Sequence, residues 1–284
     1  MGDLQEYKEL QETIRELDMK GSYQELLDHT IRYKDMAESL FGTGHAQYAA
    51  ALNEYAGAFR NLGRYEEAEK VYDDALRIMG AACGENTFEY ATVLNNMAGM
   101  CRLSGQYEKS EETFLRVKDL YAAILGTSHF LYLSCLNNLG LLYQDMGRYD
   151  EAAGLHEECL RTFHDPDQHN DIAEATTLVN LASARMGEKR NCEAEPLLKK
   201  AIAVYEKTTG RAHPLCAHAL NTLAALSAEE GRPEEAKQYL EESLQIVEKA
   251  YGRDSDSYGL VYRTLQSVKK VLEEKNGAEG GTAL

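Results

Sequence analysis

The chain has no tryptophan and only four prolines in 284 residues. A proline inside a helix removes a hydrogen bond and clashes with the preceding turn, so their scarcity leaves long stretches free to be helical. β-Branched residues rarely alternate with polar ones, which argues against strands. No run approaches the ~18 consecutive apolar residues that a membrane helix needs. The opening MGDLQEYKEL lacks a basic start and an apolar core, so it does not read as a secretory signal. Glu6 stands where an acylation site needs Ser or Thr. Six cysteines, Cys83, Cys101, Cys135, Cys159, Cys192 and Cys216, are far apart and form no C-x-x-C pair. A disulfide framework is therefore not expected; reduced, packed thiols of a cytoplasmic protein are.

Basic residues are also in short supply, 30 against 47 acidic ones, for a formal charge of -17. Such a field repels phosphate backbones and anionic lipid, which excludes nucleic acid and membrane surfaces as partners.

Glycine, by contrast, is placed with great regularity. Gly21, Gly63, Gly105, Gly147 and Gly231 are separated by 42, 42, 42 and 84 residues. Gly42, Gly84, Gly126, Gly210 and Gly252 form a second comb of the same step, Tyr23, Tyr65, Tyr107 and Tyr149 a third, Tyr48, Tyr90, Tyr132 and Tyr258 a fourth. Leu52, Leu94, Leu136, Leu178 and Leu220 complete the set. A fixed period of this size marks a repeat architecture. Between glycines the pattern is helical: Leu52, Tyr55, Ala56, Phe59 and Leu62 share one face, and Gly63 follows, where a left-handed residue ends a helix cheaply. A second helix carries Ala68, Val71, Tyr72, Ala75, Leu76 and Ile78 inward, and Gly84 closes the unit. Each unit is thus helix A, tight turn, helix B, longer turn. Ala56, Ala98, Gly140, Ala182 and Ala224 on the A helices, and Ala68, Ser110, Ala152, Ala194 and Ala236 on the B helices, mark where axes must approach closely. One pair cannot bury its apolar faces alone, whereas stacked pairs can.

The segments LNEYAGAFRNLGRYEEAEKVYDDAL, LNNMAGMCRLSGQYEKSEETF, LNNLGLLYQDMGRYDEAAGLHEECL and LNTLAALSAEEGRPEEAKQYLEESL resemble the tetratricopeptide repeat in its kinesin-light-chain-like, 42-residue form. The resemblance implies an all-α, right-handed superhelical α-solenoid of about six helix pairs. The units run at about 4–42, 45–84, 87–126, 129–168, 171–210 and 213–252, with a capping helix at 255–275 and a disordered tail at 276–284. In the first unit Leu10, Ile14, Leu17, Leu26, Leu27 and Ile31 supply the apolar positions; in the cap, Tyr258, Tyr262, Leu265 and Val268 point inward. The fourth full unit breaks the pattern, with Lys189 where Gly is due and Asn191 where Tyr is due. A left-handed non-glycine residue costs roughly 1–2 kcal/mol, so the chain is expected to turn at Gly187 instead.

On helix A the stripe Asn53, Gly57, Arg60 lies about 100° from the core stripe. Its equivalents are Asn95, Gly99, Arg102; Asn137, Leu141, Gln144; Val179, Ser183, Met186; and Asn221, Ala225, Ala228, with Asn96, Asn138 and Asn180 alongside. In proteins of the family helix A lines a concave groove, and the resemblance implies that these asparagines bind the backbone of an extended peptide. An amide both donates and accepts, so it suits that role. The same amides could instead bond between successive A helices and space the repeats. Arg60 and Arg102 suit an acidic segment through the planar guanidinium fork, or else a neighbouring carboxylate of the chain itself. Lys and Arg at the further positions used by chaperone-tail binders are missing here. The acidic B helices read as a solvated back.

Catalytic constellations are absent from the sequence: no G-x-S-x-G, P-loop or dinucleotide fingerprint occurs. His164, Asp165, Asp167 and His169 are ligand types for a divalent metal, yet they stand in a polar turn with no further cluster, so no cofactor or metal is expected. His45, His129 and His213 keep the 42-residue step and read as structural, near the start of helix A. The expected function is a non-catalytic scaffold for a protein or peptide, with a regulatory peptide receptor or a self-assembling array as the alternative.

Overall fold

The computed structural model describes residues 2–163 and 170–280, and among them all regular structure is helical. Six helix pairs and a final helix follow in order. The pairs are α1 (Gly2–Lys20) and α2 (Tyr23–Phe41); α3 (Ala46–Asn61) and α4 (Tyr65–Cys83); α5 (Phe88–Leu103) and α6 (Tyr107–Leu125); α7 (Phe130–Asp145) and α8 (Tyr149–Phe163); α9 (Asp171–Gly187) and α10 (Asn191–Thr208); α11 (Pro214–Glu229) and α12 (Pro233–Tyr251). The last helix is α13 (Asp256–Gly280). The chain divides into two compact units, Met1–Leu142 and Tyr143–Leu284.

The A helices end in a repeated Schellman motif. After α3, Gly63 N–H donates to Arg60 O at 3.0 Å and Arg64 N–H to Phe59 O at 2.9 Å, with Gly63 at φ 71°. Gly21, Gly105, Gly147 and Gly231 repeat the geometry. So does Lys189, which corrects the expected turn at Gly187. Lys189 takes φ 63°, its N–H reaching Met186 O and that of Arg190 reaching Arg185 O. The two bonds hold the turn in place despite the side chain. Gly187 stays inside α9 for another reason: a Cβ there would lie 2.3 Å from the Tyr149 ring, which rests on its backbone. Around this turn the buried Arg185 binds Glu157, Glu188 at 2.7 Å and Glu193 at 3.5 Å.

B helices end differently. Gly42, Gly84, Gly126 and Gly252 combine φ of 79–89° with ψ of 159–170°, a region essentially reserved for glycine. The next A helix is then capped by a side chain: His45, His129 and His213 accept through Nδ1 from the backbone N–H two residues on, and Thr87 and Asn170 accept three residues on. The comb histidines are therefore helix caps. At B-helix starts Arg64, Arg148, Arg190 and Arg232 pair with Glu67, Glu151, Glu193 and Glu235. In the second full pair Gln106 and Lys109 replace this couple and both reach back to Glu69.

The small residues at both combs are buried, Ser110 among them, its hydroxyl donating to Ala98 O at 2.8 Å. Between successive pairs the A helices touch directly, α3 with α5 in the first unit and α9 with α11 in the second. The corresponding B helices do not approach as closely, so in each unit the A helices form the inner wall. Two apolar expectations are corrected. Ile31 is exposed while Thr30, Tyr33 and Ala37 are buried, and in α13 Val261 and Leu265 are buried while Tyr262 is exposed. Burial on a single-sided helix follows i, i+4, so Val261 replaces Tyr262 as the partner of Leu265. The final helix also continues to Gly280 rather than stopping at 275. No helix among the described residues is long and apolar enough to cross a membrane.

Candidate functional site

In the first unit the A-helix wall opens into a cavity of about 210 Å³. Ile14, Arg15 and Asp18 of α1 face it, with Asn53, Glu54, Gly57, Arg60 and Asn61 of α3, Tyr72 of α4 and Asn96 of α5. Repeat stacking brings these together, since equivalent positions one pair apart become neighbours across the wall.

A chain of amides organises the cavity. Asn96 Nδ2 donates to Asn53 Oδ1 at 3.0 Å, and Asn53 Nδ2 donates to Glu54 Oε1 at 3.2 Å. Arg60 donates to Asn61 Oδ1 through Nε at 3.2 Å and a terminal nitrogen at 3.1 Å, and Asn61 Nδ2 donates to Asp18 Oδ1 at 2.7 Å. The inter-helix amide bond anticipated from the sequence thus exists at Asn53–Asn96. Arg60 spends two donors on an amide rather than on a carboxylate.

Glu54 is open to solvent at one face and densely walled at the others. That crowding raises its carboxyl above the usual range; the Asn53 bond opposes the shift, Asp18 adds to it, and Arg60 and Arg15 oppose it more weakly. Tyr72 is fully buried, and no protein group bonds its Oη. Burial raises its hydroxyl to about 12. A buried hydroxyl left unpaired costs about 1–3 kcal/mol. Gly57 lies over it, and even a Cβ there would be 3.9 Å from Oη.

The remaining residues of the stripe are placed as follows. Asn95 is half-buried with its Oδ1 buried and unbonded, and Asn221 in the second unit is the same. Arg102 and Asn137 are half-buried and engaged within the chain; Asn138 is half-buried. Gln144 is committed to structure, its Nε2 lying 3.0 Å from His156 Nε2 and 3.3 Å from Asn180 O, and Asn180 is buried. His156 is fully buried, and desolvation lowers its imidazole to about 4, so it is neutral and accepts from Gln144. His164, Asp165, Asp167 and His169 lie outside the described residues. Among the described residues no cluster of three His, Cys, Asp or Glu could hold a metal ion.

Glu54 and Tyr72 were missed from the sequence, although a signal was there. Residue 54 is followed at the same step by Asn96, Asn138, Asn180 and Thr222, and residue 72 by Phe114, His156, Leu198 and Leu240. One step earlier the same positions hold Glu12 and Thr30, so the two depart only from the later repeats; Glu54 and Tyr72 meet in one cavity.

Helix pairs of fixed length, closed by two recurrent turns and exposing a polar inner wall, define a helical-repeat protein of the α-solenoid class. The chain belongs to the tetratricopeptide repeat family, whose models match residues 49–89, 89–163 and 173–249. No curated protein matches the sequence significantly. Among solved structures it is similar to BtubC (BKLC) from P. vanneervenii, with a TM-score of 0.65 and 16% identity over 82% of this chain and 94% of that one. Kinesin-light-chain TPR-like repeats of Podosopora anserina give 0.58 and 22% over 70% and 94%. PlcR of Bacillus thuringiensis, solved with the peptide PapR7 and DNA, gives 0.60 and 14% over 75% and 74%.

Proposed function

We propose that the chain is a non-catalytic interaction scaffold that holds an extended peptide or protein segment against the A-helix wall of its first unit. The observation that carries this reading is the Asn53–Asn96 amide pair opening onto a polar cavity beside Arg60. Amides presented at repeat spacing suit a peptide backbone, whose own donors and acceptors recur along its length. Arg60 and Arg102 on the same wall favour a segment that carries carboxylates. That PlcR was solved with a peptide supports a peptide-holding role for an array of this kind.

The test is a peptide-array or pulldown screen, followed by affinity measurements on Asn96→Ala and on Arg60→Glu with Arg102→Glu. The first is expected to weaken every captured segment several-fold and the second to weaken acidic segments most. Melting temperatures serve as the folding control. Unchanged affinity in folded variants of both kinds would remove the wall as the binding face.

A further inference from the structure

Two positions in the first full repeat carry polar groups that the later repeats lack. Glu54 puts a carboxylate where later repeats have Asn96, Asn138, Asn180 and Thr222. Tyr72 puts a hydroxyl at a buried position where Phe114, Leu198 and Leu240 are wholly apolar and His156 has a partner in Gln144. Neither group has its full set of partners within the chain. Glu54 receives one side-chain donor, Asn53 Nδ2, and Tyr72 Oη receives none. Both line the same cavity, with Asp18, which already accepts from Asn61, as a third acceptor on the facing helix α1.

We propose that this cavity binds a primary ammonium group, held by the Glu54 and Asp18 carboxylates with Tyr72 Oη as a neutral acceptor. An ammonium is a compact charge with three donors and no acceptor, and it would meet the acceptor capacity that Glu54 and Tyr72 Oη leave unfilled. Arg60 and Arg15 also face the cavity. Arg60 is turned onto Asn61 by two bonds, Arg15 is exposed on α1, and of the charges acting on Glu54 the strongest is Asp18. Among the described residues neither arginine forms an ion pair with Glu54, whose one side-chain partner is the neutral Asn53 amide, so a small cation can still pair with it. The cavity has room for the tip of a lysine or the amino end of a chain.

This deepens the reading of the wall as a binding face, yet its test needs no peptide. The full chain, with its tyrosine rings labelled, is titrated with n-butylammonium chloride as a lysine mimic and with glycinamide hydrochloride as a mimic of a chain amino end. Sodium chloride at equal ionic strength and sodium butyrate are the controls. A saturable shift of the Tyr72 ring signals by either amine is expected, and the tighter amine identifies the source. Glu54→Gln, which restores an amide like those of the later repeats, should fold and bind about tenfold more weakly. Tyr72→Phe, which removes the reporting ring and is therefore followed by calorimetric titration, should fold and weaken both amines without changing their order. The proposal is overturned if neither amine saturates, if butyrate binds as well as the amines, or if folded Glu54→Gln binds as tightly as the unaltered chain. Any of these leaves the peptide screen on Asn96 and Arg60 standing.

Discussion

Lys189 and Gly187 exchange the duties their residue types suggest. Lys189 occupies the left-handed turn at φ 63°, which costs a side-chain-bearing residue roughly 1–2 kcal/mol. Gly187 lies in a helix, where glycine is a poor choice, because Tyr149 lies against its backbone. Lys189→Gly is therefore expected to stabilise the chain by about 1 kcal/mol. Gly187→Ala is expected to destabilise it by about 1–3 kcal/mol through overpacking. Denaturant melts of the two variants, moving in opposite directions, check the pair. The sequence showed the break in the comb at Lys189 but not its resolution. A turn is chosen by the hydrogen bonds on both sides of it, and the ring that claims Gly187 comes from another helix. Glu54 and Tyr72 were legible in principle as departures from the later repeats. Agreement with a repeat reports stacking, while departures from it report what stacking does not require.

At the scale of elements, Gln144 at the end of α7 ties itself to His156 of α8 and to the Asn180 carbonyl of α9. The coupling needs a neutral imidazole. His156 titrates near 4 when folded, against about 6.5 for an unperturbed histidine. Between those values the unfolded chain binds more protons than the folded one, so stability rises with pH across the window. The contribution is complete above pH 6.5 and is lost as pH falls towards 4, up to about 3 kcal/mol. His156→Gln, which keeps an acceptor but does not titrate, should flatten this part of the stability profile measured by urea melts from pH 7 to pH 4. An unchanged slope would place the acid sensitivity elsewhere. The helices themselves were readable from spacing because each has one buried face and a glycine at a fixed end. The network joining them was not, since Gln144 reads from the sequence as one more polar residue of the inner stripe.

For the whole molecule, the surplus of acid matters more than any single ion pair. Most of the ion pairs are exposed and worth little individually. A formal charge of -17 repels itself at low salt, where the screening length is about 30 Å at 0.01 M against about 8 Å at 0.15 M. Melting temperature is expected to rise between these salt concentrations, by about 2–4 °C for each kcal/mol of repulsion removed. Calorimetry at the two concentrations measures it, and a fall would mean that surface ion pairs outweigh the repulsion.

The cysteines carry one more consequence. Cys101, Cys135, Cys159 and Cys216 are buried, whereas Cys83 at the end of α4 and Cys192 at the start of α10 are exposed. One accessible thiol therefore falls in each compact unit. Maleimide dyes under native conditions would label this pair first, giving the unaltered chain a built-in spectroscopic ruler. Energy transfer along it would register any change in separation when a captured segment arrives.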